Sequence, residues 1–184
     1  MTTPTRVSVE AFLALEETKP YLELIDGEVV PKSMPSAKHS ATVFEIAGIL
    51  RNYLRANPIA HGATELRHRD IRSDRVFLPD LSVTLNSRWQ AGGAGPVEVM
   101  PDFVIEVLSP DDRTSRVAER VDFYLRAGTS LVWVIDPELE NVSVYRRGAQ
   151  AEFRKGTGKL DAGTVLPGFE LQLDELFRVV RENG

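Results

Sequence analysis

A single mixed α/β domain is the fold that the 184-residue sequence predicts. Three observations lead to it. An apolar strand, an amphipathic helix and a second apolar strand follow one another between Phe103 and Pro137, as a βαβ crossover requires. Asp26-Gly27 separates two short apolar runs, which is a strong signal for a two-residue hairpin. The composition, 42% hydrophobic and 27% charged, is that of a globular chain, and the length suits one core. No repeat, long linker or coiled-coil heptad divides it, so residues 1–184 read as one domain.

The elements follow in order. Ser8 caps a short helix expected to run to Glu17, with Phe12, Leu13 and Leu15 as its apolar contacts. Pro20 then opens the hairpin Y-L-E-L-I-D-G-E-V-V. Ser36 or Ser40 starts a longer helix ending near Ala56, with Val43, Ile46, Ala47, Leu50 and Leu54 as its buried stripe. Between Ala63 and Leu85 two strands are expected, with a turn near Asp70 to Asp74. In the second, Leu81, Val83 and Leu85 share one face, and Asp80, Ser82 and Thr84 the other. The run from Ala91 to Pro96 reads as a surface loop. It lacks the Lys-Ser/Thr of a phosphate loop.

Phe103 to Leu108 forms the next strand, and Thr114 to Arg126 a helix stopped by Gly128. L-V-W-V-I-D-P is a buried strand, with Trp133 in the core. Val142 to Tyr145 and Ala151 to Phe153 continue the pairing. The tail is expected to carry a short strand near Phe169 to Leu173 and a final helical turn at Leu176.

Composition excludes several function classes. The absence of cysteine removes disulfides and thiolate chemistry. No signal-peptide core or membrane-length apolar run is present, so a cytoplasmic protein without membrane contact is expected. A net charge of -5 argues against a surface coated for nonspecific nucleic-acid binding, but it leaves room for a local basic groove. Two basic clusters stand out. Arg67, His68, Arg69, Arg72 and Arg75 precede Asp80 and read as a solvated hairpin or an anion contact. Arg113, Arg116, Arg120 and Arg126 follow Glu106 and strengthen the anion reading.

Asp80 and Glu106 carry the most chemistry. Each interrupts an apolar, β-branched run, where a carboxylate is costly to bury without compensation. Alternation puts Asp102, Val104, Glu106 and Leu108 on one side of their strand, so Glu106 emerges beside Asp80 if the two strands are neighbours. Paired oxygen ligands of this kind suit Mg²⁺ or Mn²⁺, with substrate phosphate completing the coordination. Alternatively, either acid pairs with a base or ends a strand.

The segments Y-L-E-L-I-D-G-E-V, P-S-A-K-H-S, F-L-P-D-L-S-V, P-D-F-V-I-E-V-L-S-P, A-E-R-V-D-F-Y-L-R-A-G and L-V-W-V-I-D-P occur in that order. Together they resemble the bacterial restriction-endonuclease family abundant in cyanobacteria, within the PD-(D/E)XK nuclease superfamily. The resemblance covers about Pro20 to Tyr145 and implies a restriction-endonuclease-like core (approximately residues 20–147): a mixed sheet flanked by helices, with additional antiparallel strands. It implies a Mg²⁺- or Mn²⁺-dependent endonuclease acting on DNA, with Asp80 and Glu106 as catalytic, metal-binding acids.

The motif's lysine position holds Leu108, and the resemblance moves the basic role to Arg120 on the following helix. Arginine can neutralise phosphate charge but cannot serve as a base. His39, matching the family's histidine, is a supporting candidate for positioning phosphate or a carboxylate, against a capping or packing role. Glu23 and Glu28 flank Asp26-Gly27 and match the early motif; both read as structural hairpin residues or as assistance at the metal-site rim, with Glu28 the supporting candidate. Trp89 lies in a loop where it could meet a base. No zinc ligand set, aromatic-basic ladder or helix-turn-helix appears, and no organic cofactor is expected. A homodimer, able to cut both strands of a duplex, is the expected assembly. The alternative is a noncatalytic nucleic-acid-binding or regulatory protein on a nuclease-like scaffold.

Overall fold

The computed structural model describes residues 6–73, 75–90 and 95–183. Ser8 caps helix α1 (Val9–Leu13) by accepting from the Ala11 amide. The helix ends four residues before Glu17, because Leu13 and Leu15 stay exposed and nothing packs on a further turn. Strands β1 (Leu22–Ile25) and β2 (Glu28–Pro31) form the expected hairpin. Asp26 and Gly27 both take positive φ, the turn geometry that matches strand twist. Helix α2 (Ala37–Ala56) starts at Ser36, whose hydroxyl accepts from the His39 amide.

Four strands stand where the sequence suggested two: β3 (Ala60–Thr64), β4 (His68–Asp70), β5 (Arg75–Phe77) and β6 (Leu81–Leu85). Glu65, at positive φ, breaks the run after β3. Pro79, which has no amide to donate, breaks it before β6. The chain thereby leaves one sheet for another and returns, which sets Asp80 at their junction.

Strand β7 (Phe103–Val107), helix α3 (Thr114–Ala127) and strand β8 (Leu131–Asp136) make the parallel crossover. Gly128 ends α3 in the left-handed conformation at φ 114, which a Cβ would disfavour. Strands β9 (Asn141–Arg146), β10 (Glu152–Lys155), β11 (Lys159–Asp161) and β12 (Glu170–Gln172) follow. Helix α4 (Leu173–Asn183) then runs three turns, because Leu173, Leu176, Phe177 and Val180 repeat at helical spacing on the core side.

The main sheet has six strands in the order β10-β9-β8-β7-β6-β3, with β7 and β8 parallel and the other pairs antiparallel. A smaller sheet runs β2-β1-β5-β4, and β11 pairs with β12. Alternation along β7 decides the layers. Phe103, Ile105 and Val107 pack with Ile46 and Leu50 of α2 and with α4. Val104 faces α3 through Val121 and Tyr124. Trp133 is fully buried in the first of these layers, as expected. Most of the loop from Ala91 to Pro96 lies outside the described residues. No helix among them is long and apolar enough to cross a membrane.

His68 joins the two sheets. Its Nδ1 donates to the Val99 carbonyl at 2.8 Å, which leaves Nε2 to accept from the Ser82 hydroxyl at 3.1 Å. Burial pushes its pKa below the ordinary 6.5, and the Val99 contact only partly offsets that. The unfolded chain therefore binds a proton that the folded chain refuses. This stabilisation is complete above about pH 6.5 and is lost as the pH falls toward the depressed folded pKa. Urea unfolding of wild type and His68→Gln at about pH 7.5 and about pH 5.5 is expected to show a smaller acid loss in the variant. Equal losses would exclude His68 as the cause.

Candidate active site

The β6–β7 register pairs Leu81 with Ile105 and Ser82 with Val104, so its extension sets Asp80 across from Glu106. Both acids line one cavity of about 210 Å³ and are only 4% exposed. Strand β6 begins at Leu81, immediately after Asp80. Its carboxylate reaches past the strand end and accepts from the Val107 amide at 2.8 Å. The sequence-predicted pair is brought together.

Asp80 is held by two basic side chains. Lys32 Nζ donates to its Oδ1 at 2.6 Å and to the Leu78 carbonyl at 2.7 Å. His39 Nε2 stands 3.3 Å from Oδ2. Burial alone would raise the Asp80 pKa, but the Lys32 charge and the His39 contact outweigh it and hold the carboxyl below its usual range. Lys32 is likewise penalised by burial, yet Asp80, Glu106 and Glu23 raise its pKa, so it is a fixed cation. Lys32 was not among the sequence candidates. Only the fold carries the end of the hairpin to Asp80, 48 residues along the chain.

Glu106 is in a different state. Burial pushes its pKa up to about 7; Arg120 and Lys32 oppose the rise, while Asp80 and Glu23 add to it. Tyr124 donates its hydroxyl to Oε1 at 2.7 Å, and its own pKa is raised by burial and by the Glu106 charge. Arg120 projects from α3 over this group, with Nη1 3.9 Å from Glu106 Oε2 and Nη2 donating to Glu23 Oε2 at 2.9 Å. Burial works against the Arg120 charge, but Glu106 and Glu23 raise its pKa above the ordinary value. The helix thus places Arg120 at the acids, as its sequence position implied.

Glu28 does not join them. It is exposed near the turn of the hairpin and lines a different surface with Arg116 and Glu119. The hairpin's inward carboxylate is Glu23, fully buried between Arg120 and the Leu78 amide. Glu65 reaches the cavity rim with its backbone at φ 48, a conformation that residues other than glycine seldom adopt. Leu108 packs against the α3 layer, on the side that alternation predicted. Trp89 stacks on His61 with ring centroids 4.5 Å apart.

The two basic clusters separate. In the first, Arg67 pairs with Glu17, Arg69 with Glu10 and Glu98, Arg72 with Asp70, and Arg75 with Asp26. In the second, Arg126 pairs with Asp122 and Arg120 enters the site. Arg113 and Arg116 remain exposed beside the cavity.

Two carboxylates opening on one cavity are the donor type of a hard cation that keeps water and takes few protein ligands, as Mg²⁺ does. No group of three or more His, Cys, Asp or Glu side chains arranged for a metal occurs among the described residues. The fit rests on the Asp80–Glu106 pair.

The family model described as "Putative restriction endonuclease" (Uma2) matches residues 9–174. A solved structure, described as that of a putative nuclease belonging to DUF820 from Anabaena variabilis, is 30% identical to the chain. It superimposes with a TM-score of 0.85, over 95% of this chain and 99% of that one. No curated protein matches. The core sheet with its flanking helices is therefore restriction-endonuclease-like, and the chain belongs to the Uma2 family, within the PD-(D/E)XK-like nucleases.

Proposed function

We propose that the protein is a Mg²⁺- or Mn²⁺-dependent endonuclease that hydrolyses phosphodiester bonds in DNA. The observation that carries this reading is the convergence of Asp80 and Glu106 on one cavity under the fixed cations Lys32 and Arg120. Asp80 and Glu106 would hold the metal. Bound there, it supplies a water of lowered pKa and screens the charge of the phosphodiester.

The chain's own residues do the rest. The Val107 amide and His39 orient the Asp80 carboxylate. Tyr124 and Arg120 orient Glu106. Arg120 lines the cavity and presents positive charge where phosphate charge develops in the transition state. Lys32 supplies an ammonium where position 108 has none, reaching Asp80 from the end of the hairpin and not from the second acid's strand. Hydrolysis forms a bond from water oxygen to phosphorus and breaks the bond to the leaving sugar oxygen, which takes up a proton.

A second reading has its own observation. The Lys32 ammonium sits against Asp80 Oδ1, on a carboxylate that a metal would use, which suits a noncatalytic nucleic-acid-binding protein on the same scaffold. The two readings differ in turnover. The protein is expected to nick or cut DNA with Mn²⁺ or Mg²⁺ and to stop on chelation. Asp80→Asn and Glu106→Gln should each lower the rate at least about 100-fold, a loss in the range for removing a central electrostatic group. Mn²⁺ should raise the melting temperature of wild type but not of a variant carrying both Asp80→Asn and Glu106→Gln. Metal-dependent cleavage undiminished in both single variants would falsify the assigned centre.

Lys32 offers a separate check. Lys32→Met leaves Asp80 buried without its cation and is expected to cost about 3 kcal/mol in urea unfolding, with Lys32→Arg recovering part of it. A loss below about 0.5 kcal/mol would show that the pair does not hold the site. Self-association belongs to the same proposal. Light scattering should give twice the mass of one chain, and a persistent single-chain mass across a wide concentration range would remove the dimer.

A further inference from the structure

The carboxylate cavity does not end at its acids. Through Pro35, His39, Glu65 and Asp80 it opens into a second groove floored by Thr64 and Ala47. Those two residues in turn border a third groove between α2 and the edge strand β3, lined by Arg51, Arg55 and His61. On the other side Ser33, Asp112 and Arg120 connect the cavity to a fourth groove, lined by Arg113 and Arg116 at the start of α3. These grooves share walls and so adjoin one another in a furrow that passes the acids from α3 to the far end of α2.

Charge is arranged along it. The chain carries 27 acids against 22 bases, and most of its surface arginines are consumed in ion pairs. Arg51, Arg55, Arg113 and Arg116 form no ion pair among the described residues, and all four line the furrow. Helical spacing explains the α2 half. Phe44, Gly48, Arg51 and Arg55 recur at intervals of four, three and four residues and form one exposed stripe. The stripe extends about 16 Å beyond Phe44 at 1.5 Å per residue. A Cβ at Gly48 would meet nothing within 4 Å, so the stripe is open ground.

Phe44 itself is 80% exposed, and Met34 at the cavity mouth is 57% exposed. An exposed aromatic ring beside unpaired arginines is what base stacking and phosphate contact require together. A base free of its partner strand can stack face to face on that ring without the cost of unstacking a duplex. Building on the nuclease reading, we infer that the furrow binds a single-stranded segment of nucleic acid. Arg113 and Arg116 hold phosphates on one side of the acids, Phe44 stacks a base on the other, and Arg51 and Arg55 hold the phosphates beyond it.

The test is fluorescence anisotropy in metal-free buffer at low ionic strength, with a labelled single-stranded oligothymidylate and a blunt duplex. Wild type should prefer the single strand. Phe44→Ala and the pair Arg51→Ala/Arg55→Ala should each weaken its binding about tenfold or more. The arginine pair should also lower the slope of log affinity against log salt by about 1.4, at about 0.7 per phosphate released from a single strand. Arg154→Ala, on the opposite edge strand, should change neither. Unchanged single-strand affinity in both α2 variants, while wild type still binds and cleaves, would overturn this path and leave the nuclease reading standing. Failure of wild type to bind or cleave any nucleic acid would overturn both. Conversion of a dimer to a monomer by Phe44→Ala, with strand affinity unchanged, would assign the ring to self-contact and likewise overturn the path.

Discussion

The junction at the end of β6 and β7 is organised by one constraint: buried carboxylates must find compensation there. Asp80, Glu106 and Glu23 are almost entirely removed from water, beside a layer built mainly of apolar and aromatic side chains. Lys32, Arg120 and His39 converge on them from β2's end, α3 and α2. An isolated charge at this depth would be expelled or neutralised. The hairpin, the crossover helix and the long helix are therefore tied at one point by groups that cannot separate without leaving a charge unpaired.

The compensation is uneven, and the unevenness is chemical. Asp80 takes a lysine, a histidine and a backbone amide, and its pKa is held down. Glu106 takes a tyrosine hydroxyl and a more distant guanidinium, and its pKa rises to about 7. Neighbouring carboxylates with opposed shifts are a recurring mark of sites that handle charge. The surface follows the same logic. Ion pairs consume the arginines of the β4–β5 region, while Arg51, Arg55, Arg113 and Arg116 form none among the described residues, on a chain that is acidic as a whole.

Much of this was legible in the sequence. Period-2 alternation identified which side of β7 carries Glu106, and the apolar run after Gly128 identified β8 as a buried parallel strand. Asp26-Gly27, Ser36 and Gly128 act through their own φ angles, side-chain caps and turns, so each is readable where it stands. The division of the 60–85 region into four strands was less legible, because a polar, arginine-rich run reads alike whether it stays in one sheet or crosses to another.

By itself the sequence determined the mixed α/β class, the order of the elements around the crossover, and the two acids that interrupt apolar strands. These follow from periodicity and from the cost of burying charge, both of which operate over a few residues. The resemblance already pointed to Arg120, but tertiary structure alone decided its partner acid and brought in Lys32. Lys32 meets Asp80, and Arg120 meets Glu23, through contacts spanning 48 and 97 residues of chain. It also decided between Glu23 and Glu28, since the same hairpin carries both and only its packing against β5 and α3 buries one and exposes the other. Charge compensation in a buried site acts through space. No spacing rule along the chain encodes which partner arrives.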